Sequence, residues 1–217
     1  MAYPLSAKLK TVIRLFTEPK VLSALISQRI DGLLYDEGWF ESFKSFKPVD
    51  RTGNPVPWTT YSFIDFIRER LNKDLTIFEY GSGNSTLFFA PRVKSVISCE
   101  HDKKWIDELK NSIPSNCEVL YSEEGNYESA IVGQKSKFDF ILVDAIRRNE
   151  CIKTAVDHLT ENGVIVLDDS ERPEYKEGIS FLAGKGFRKI DFFGVAPGIL
   201  FKKCTTVFYR QNNVLGI

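Results

Sequence analysis

The run Glu79-Tyr80-Gly81-Ser82-Gly83-Asn84-Ser85-Thr86 carries the most suggestive chemistry in the chain. Two glycines one residue apart let a backbone turn sharply and admit a ligand close to the main chain, while Ser85 or Thr86 suits the start of a helix. Glu100 follows Glu79 by 21 residues. At that spacing a carboxylate can accept hydrogen bonds from both hydroxyls of a ribose lying over the glycine turn. Asp144 and the pair Asp168-Asp169 each close an apolar run. Such carboxylates serve as a general base, as ligands of a hard cation, or as helix N-caps and solvated loop ends.

The elements that must position these residues follow from periodicity. Short apolar runs, TIFEY, SVISCE, EVLY, FDFILVD and GVIVLDD, alternate with helical stretches near 85 to 92, 103 to 113, 149 to 159 and 174 to 184. This alternation predicts βαβ units and a parallel sheet covered on both faces. Ligands of such sheets bind beyond the carboxyl ends of the strands, which is where Glu79, Glu100, Asp144 and Asp168 stand. KIDFF and CTTVFYR are separated only by GVAPGILFKK, too short for a parallel crossover, and so predict an antiparallel pair joined to the sheet. Upstream, Phe63, Ile64, Ile67 and Leu71 recur at helical spacing behind a Thr59 or Thr60 cap.

Residues 31 to 58, rich in aromatics, Gly and Pro, read as a loop-rich connection or lid. In the first 30 residues, Leu9, Val12, Ile13 and Phe16 share one helical face, with Lys8, Lys10 and Arg14 elsewhere. A packed helical cap with a solvated basic face is the expectation, and a membrane-surface helix the alternative. The predicted organisation is an N-terminal helical cap and lid over 1–57 and an α/β domain over 58–217. That domain is expected to be Rossmann-like, with a seven-stranded, mostly parallel sheet, one antiparallel strand and helices on both faces.

Composition excludes several classes. With 43% apolar and 27% charged residues the chain is of ordinary globular type. Lys+Arg and Asp+Glu both number 29, so no whole-chain field gathers nucleic acid or an anionic membrane, and nucleic acid is disfavoured as a partner. Cys99, Cys117, Cys151 and Cys204 are scattered without zinc-site spacing. The N-terminal MAYPLSAKLKTVIRLF lacks the apolar core of a secretory signal, and no run of about 18 apolar residues offers a membrane span. A cytoplasmic, reduced protein is expected.

The glycine turn also discriminates between nucleotides. A dinucleotide fingerprint places a third glycine where Thr86 stands, and Glu79 beside the turn would repel a pyrophosphate. A cationic ligand reverses that sign. FEYGSGNST, SCEHD, FDFILVDA and GVIVLDDS together resemble the class I S-adenosylmethionine-dependent methyltransferases over about residues 59 to 210. FEYGSGNST preceded by PWTTY resembles small bacterial members, and Ser85 stands in place of the third family glycine.

The resemblance implies S-adenosylmethionine as cofactor. Glu79, Gly81, Ser82, Gly83, Asn84 and Ser85 would form the loop at its methionine end, Glu100 would hold the ribose, His101 would face the adenine, and Ser122 or Glu123 would meet its edge. Asp144 would contact the transferring centre or act as base. Trp58 and Tyr61 would line the pocket or pack in the core. Catechol-type relatives bind Mg²⁺ through an acid after strand four and Asp-Asn after strand five. Asp144, Asp168 and Asp169 are the corresponding residues here, with Mg²⁺ as the lesser alternative. Arg147, Arg148 and Arg172 would bind an anionic acceptor or pair with Glu150, Glu171 or Glu174, and His158 is read as structural. The expected function is methyl transfer to a small acceptor, most readily at oxygen. The rivals are a nicotinamide-dependent oxidoreductase, a transferase using decarboxylated S-adenosylmethionine, and a non-catalytic nucleoside-binding protein of the same fold.

Overall fold

A computed structural model describes residues 4–217 of the chain. The first three residues of the N-terminal stretch read above as helical lie outside the described residues. Among those described, seven strands form one sheet: β1 (Thr76–Tyr80), β2 (Ser95–Glu100), β3 (Cys117–Tyr121), β4 (Phe138–Val143), β5 (Leu159–Leu167), β6 (Arg188–Ala196) and β7 (Ile199–Tyr209). Their order is β3-β2-β1-β4-β5-β7-β6. β1 to β5 pair in parallel, and β7 runs against both β5 and β6. The C-terminal apolar pair is thus the antiparallel hairpin that its short connection requires.

The strands read as continuous apolar runs because both faces are buried. Ile77, Val96, Phe140, Leu142 and Val166 pack on one side beneath α5 (Tyr61–Arg68) and α6 (Asn84–Phe89). Phe78, Tyr80, Ile141, Val143 and Ile165 pack on the other beneath α8 (Arg148–Ala155) and α9 (Lys176–Gly184). α7 (Lys103–Leu109) starts at Asp102, whose carboxylate accepts from the amides of Lys104 and Trp105. Thr60 stands at the N-cap of α5 without capping it, because its hydroxyl donates to the carbonyl of Phe192 on β6.

Strand order reverses at β1, which pairs with β2 on one side and β4 on the other. In register, Tyr80 lies opposite Cys99 and Val143. Gly81, Glu100 and Asp144 therefore leave the sheet at one level, around the crevice where α/β sheets hold ligands.

Two expectations need correction. The segment 31 to 58 is not all loop: it contains α3 (Leu33–Asp36) and α4 (Trp39–Ser45). α4 is held by Trp39, which is buried and donates from Nε1 to the carbonyl of Ile199 at 3.1 Å. The N-terminal helices α1 (Leu5–Thr17) and α2 (Pro19–Ser27) form as predicted, but they are not a packed cap, for neither contains a buried residue. The sheet faces are already covered by α5, α6, α8 and α9, which leaves the apolar stripe of α1 in solvent. No helix among the described residues is long and apolar enough to cross a membrane.

This distribution of burial predicts unequal costs. Phe89 is fully buried beside Phe88 and Phe140, so Phe89→Ala should cost about 3–5 kcal/mol in urea unfolding. Phe16 is 74% exposed, and Phe16→Ala should change stability by less than about 0.5 kcal/mol. Comparable losses in the two variants would contradict the exposed placement of α1.

Candidate functional site

Beyond the ends of β1, β2 and β4 lies a cavity of about 180 Å³, with Glu79, Gly81, Ser82, Ser85, Glu100, His101 and Asp144 in its wall. Gly81 has φ +107°, and a Cβ there would stand 2.6 Å from the carbonyl oxygen of Asp144. Only glycine combines that backbone with that approach.

Glu79 is buried beneath the turn. Its Oε2 accepts from Ser98 Oγ at 2.9 Å, Ser98 Oγ lies 3.0 Å from Thr86 Oγ1, and Thr86 Oγ1 accepts from the Gly83 amide at 3.2 Å. Its Oε1 has no partner among the described residues. Burial, only partly offset by the nearby hydroxyls of Thr86, Ser85 and Ser98, pushes the carboxyl up to about 7. A cationic hydrogen-bond donor at Oε1 would relieve both deficits.

Glu100 is fixed by its own backbone. Oε1 accepts from the amides of His101 at 2.8 Å and Asp102 at 3.1 Å, and Oε2 from Ser82 Oγ at 3.3 Å. Nδ1 of His101 lies 3.0 Å from the same Oε1 but is not aligned for a hydrogen bond. The His101 ring meets Tyr127 edge-on at 5.9 Å.

A second cavity, of about 120 Å³, adjoins the first and shares Ser82, Ser85 and Asp144 with it. Phe46, Lys47, Pro48, Trp58, Gly83, Asn84 and Trp105 complete its wall. Asn84 Nδ2 donates to the carbonyl of Pro48 at 2.6 Å, tying the segment after α4 to the glycine turn. Trp105 Nε1 donates to the carbonyl of Ser82 at 2.8 Å, supporting the turn from α7. Asp144 stands where the two cavities meet.

Behind Asp144, acids and bases are matched. Arg148 is buried and places Nη2 2.8 Å from Asp144 Oδ1 and 3.5 Å from Asp169 Oδ2, while Nε donates to the carbonyl of Ala145. Lys203 Nζ lies 2.7 Å from Asp168 and 2.9 Å from Asp169, and donates to the carbonyl of Trp58. Arg172 Nη2 is 2.6 Å from Asp169. Burial pushes the Asp168 carboxyl above the usual range, Asp144 adds to the rise, and Lys203 opposes it. Burial alone would lower Lys203, but Asp168 and Asp169 carry it above its ordinary value.

No family model matches the chain, and no curated protein matches it. Solved structures do. The O-methyltransferase TomG from Streptomyces achromogenes, involved in tomaymycin synthesis and solved in complex with S-adenosylmethionine, superposes with a TM-score of 0.57 at 14% identity, over 83% of this chain and 91% of that one. Precorrin 8W decarboxylase from Methanobacterium thermoautotrophicum gives 0.55 at 16% identity, over 76% and 97%. Precorrin-6y C5,15-methyltransferase from Geobacter metallireducens GS-15 gives 0.52 at 15% identity, over 69% and 87%. The chain has the Rossmann-like methyltransferase fold.

Within this fold the structure brings together Glu79, Gly81, Ser82, Ser85, Glu100, His101 and Asp144 in one wall, and Gly83 and Asn84 in the adjoining one. Ser122 and Glu123 stand apart from both walls. The Ser122 amide is taken by the carbonyl of Glu100 at 2.9 Å, and Glu123 is exposed. Trp58 is 43% exposed on the second cavity, whereas Tyr61 belongs to the core. The metal set Asp144, Asp168 and Asp169 does not fit Mg²⁺, since its oxygens already face Arg148, Lys203 and Arg172, two of which are themselves buried. A divalent ion there would have to strand those cations. Nor do Asp168 and Asp169 cap a helix, because the next turns begin behind Arg172 and Tyr175. The arginines do pair with acids, but not with Glu150, Glu171 or Glu174: Arg147 takes Glu128 at 2.8 Å, Arg148 takes Asp144 and Asp169, and Arg172 takes Asp169. Trp105 and Lys203 were not anticipated. Trp105 carries a weak signal, an aromatic on the first turn of the helix after SCEHD.

The buried Glu79 sets a pH dependence. Its folded value, about 7, exceeds its ordinary 4.5, so the native state binds the proton more tightly than the unfolded chain does. Stability is then full at low pH and declines as pH rises from about 4.5 through 7. Glu79→Gln should abolish this decline, with little difference at pH 4.5 and a gain on the order of 3 kcal/mol at pH 8. A difference that does not change with pH in urea unfolding would contradict it.

Proposed function

We propose that the protein is an S-adenosylmethionine-dependent methyltransferase of small-molecule acceptors, with oxygen as the methylated atom and the cytoplasm as its place of action. The observation that carries this reading is Glu79, a buried carboxylate with one unpartnered oxygen beneath the glycine turn. A ligand with a cationic amino group draws the proton off this acid and satisfies the free oxygen, which a pyrophosphate, having only acceptors and negative charge, does not do. When bound, S-adenosylmethionine supplies a methyl group made electrophilic by its sulfonium.

The chain's residues do the rest. Glu79 accepts from the cofactor's amino group, and Glu100, oriented by two amides and Ser82, accepts from the ribose hydroxyls. Gly81 lets the backbone come close, and His101 closes one side of the adenine. Ser122 and Glu123 approach the base only if the loop after β3 shifts. The acceptor occupies the second cavity, between Trp58, Trp105 and Lys47. In-line transfer gains most from this positioning. Asp144 holds the acceptor hydroxyl between the cavities: Arg148 engages Oδ1, while Oδ2 has no partner among the described residues and takes the hydroxyl proton. The chain's net charge of zero supports a small acceptor rather than nucleic acid.

Calorimetric titration with S-adenosylhomocysteine should give micromolar binding, unchanged by Mg²⁺ or by a chelator, with NADH silent. Glu100→Ala should weaken it by about 1–3 kcal/mol. Wild-type affinity in that variant would remove the ribose assignment, and NADH binding would favour an oxidoreductase. Asp144→Asn should keep cofactor affinity while lowering transfer of labelled methyl to phenolic and alcoholic acceptors by about 10²–10⁴-fold. Undiminished transfer would exclude Asp144 as base.

A further inference from the structure

The proposed reaction makes no use of the apolar stripe of α1. Leu5, Leu9, Val12 and Phe16 follow one another at helical spacing. Leu5 is 81% exposed, Leu9 61% and Phe16 74%. α2 continues the surface with Val21, Leu25 and Ile26, all exposed. The two helices contact each other, bury no side chain in the sheet domain, and leave this face open to water. An apolar face of this size on a single chain marks an interaction surface.

We propose that α1 and α2 form a reversible anchor on the anionic surface of a lipid membrane. Charge identifies the occupant. Lys8 and Lys10 flank the stripe on opposite sides, Arg14, Lys20 and Arg29 extend the basic character, and Glu18 is the sole acid between Leu5 and Ile30, paired with Arg14 at 2.7 Å. Because the chain as a whole is neutral, the positive charge is concentrated on these helices. A helix with bulky apolar side chains on one face and basic residues at its margins lies in the interfacial plane, with each base near the surface adding to the attraction for anionic lipid. A second copy of the chain fits less well, since stripe-to-stripe pairing sets lysine margins together and α1 offers no acid to pair with them. Nucleic acid would satisfy the bases but leave the stripe in water.

The test is co-sedimentation of the full chain with vesicles of phosphatidylcholine alone or enriched in phosphatidylserine. The wild type should pellet with the phosphatidylserine vesicles, weakly with the neutral ones, and less as salt rises. Ile13→Glu with Phe16→Glu should reduce the association at least about tenfold. Both positions are exposed, so the variant keeps its circular dichroism. The anchor is overturned if the wild type ignores phosphatidylserine vesicles or if the double variant binds them equally. It is likewise overturned if light scattering shows a dimer that the double variant dissolves, or if single-stranded RNA is bound more tightly than the vesicles.

Discussion

A carboxylate buried at the end of a central parallel strand is costly unless something satisfies it, and Glu79 is satisfied on only one of its two oxygens. The surrounding architecture keeps it so. Ser98 on β2 and Thr86 on α6 hold the bonded oxygen, while the turn over it is set by Gly81, whose backbone no other residue could adopt so near Asp144. The chain therefore holds an unmet demand for a donor at the point where strand order reverses. Because burial raises the acid, this demand costs folding stability near neutral pH. Such a cost is expected at a ligand site rather than in a purely structural core.

The acid cluster on the other side of β4 is built on the opposite principle. Asp144, Asp168 and Asp169 are each matched to Arg148, Lys203 or Arg172, so the wall beside the second cavity is internally neutralised. Lys203 also reaches the carbonyl of Trp58, which joins β7 to the segment entering α5. The same network that disfavours a divalent ion holds Asp144 through Arg148 at Oδ1. The two halves of the site thus differ: the Glu79 half awaits a cationic partner, and the Asp144 half already has one.

Much of this was legible in the residues. Continuous apolar runs identified the strands because both sheet faces are covered, and the short GVAPGILFKK connection identified the hairpin. Glu79, Glu100 and Asp144 fall together because Glu79 and Glu100 lie at the carboxyl ends of their strands, Asp144 just beyond its own, and the register of β1 with β2 and β4 levels those ends. What escaped depended on long-range partners. α4 rests on Trp39 bonding to a carbonyl 160 residues away, and nothing local signals it. Lys203 looks like any strand-edge lysine until Asp168 and Asp169 meet it. The helical period of α1 identified an apolar face but not its direction, since periodicity defines a face without naming its partner. Ser122 and Glu123 were placed by family resemblance, and the loop after β3 holds them away from the wall.

The central claim is that Glu79 is protonated in the free protein near neutral pH and gives up that proton to receive a cationic ligand. Calorimetry of S-adenosylmethionine binding at pH 6.5, in buffers of different ionisation enthalpy, counts that proton directly. The account predicts release of a substantial fraction of one proton per ligand bound by the wild type and none by Glu79→Gln. Binding without proton release, or with equal release from both proteins, would contradict it.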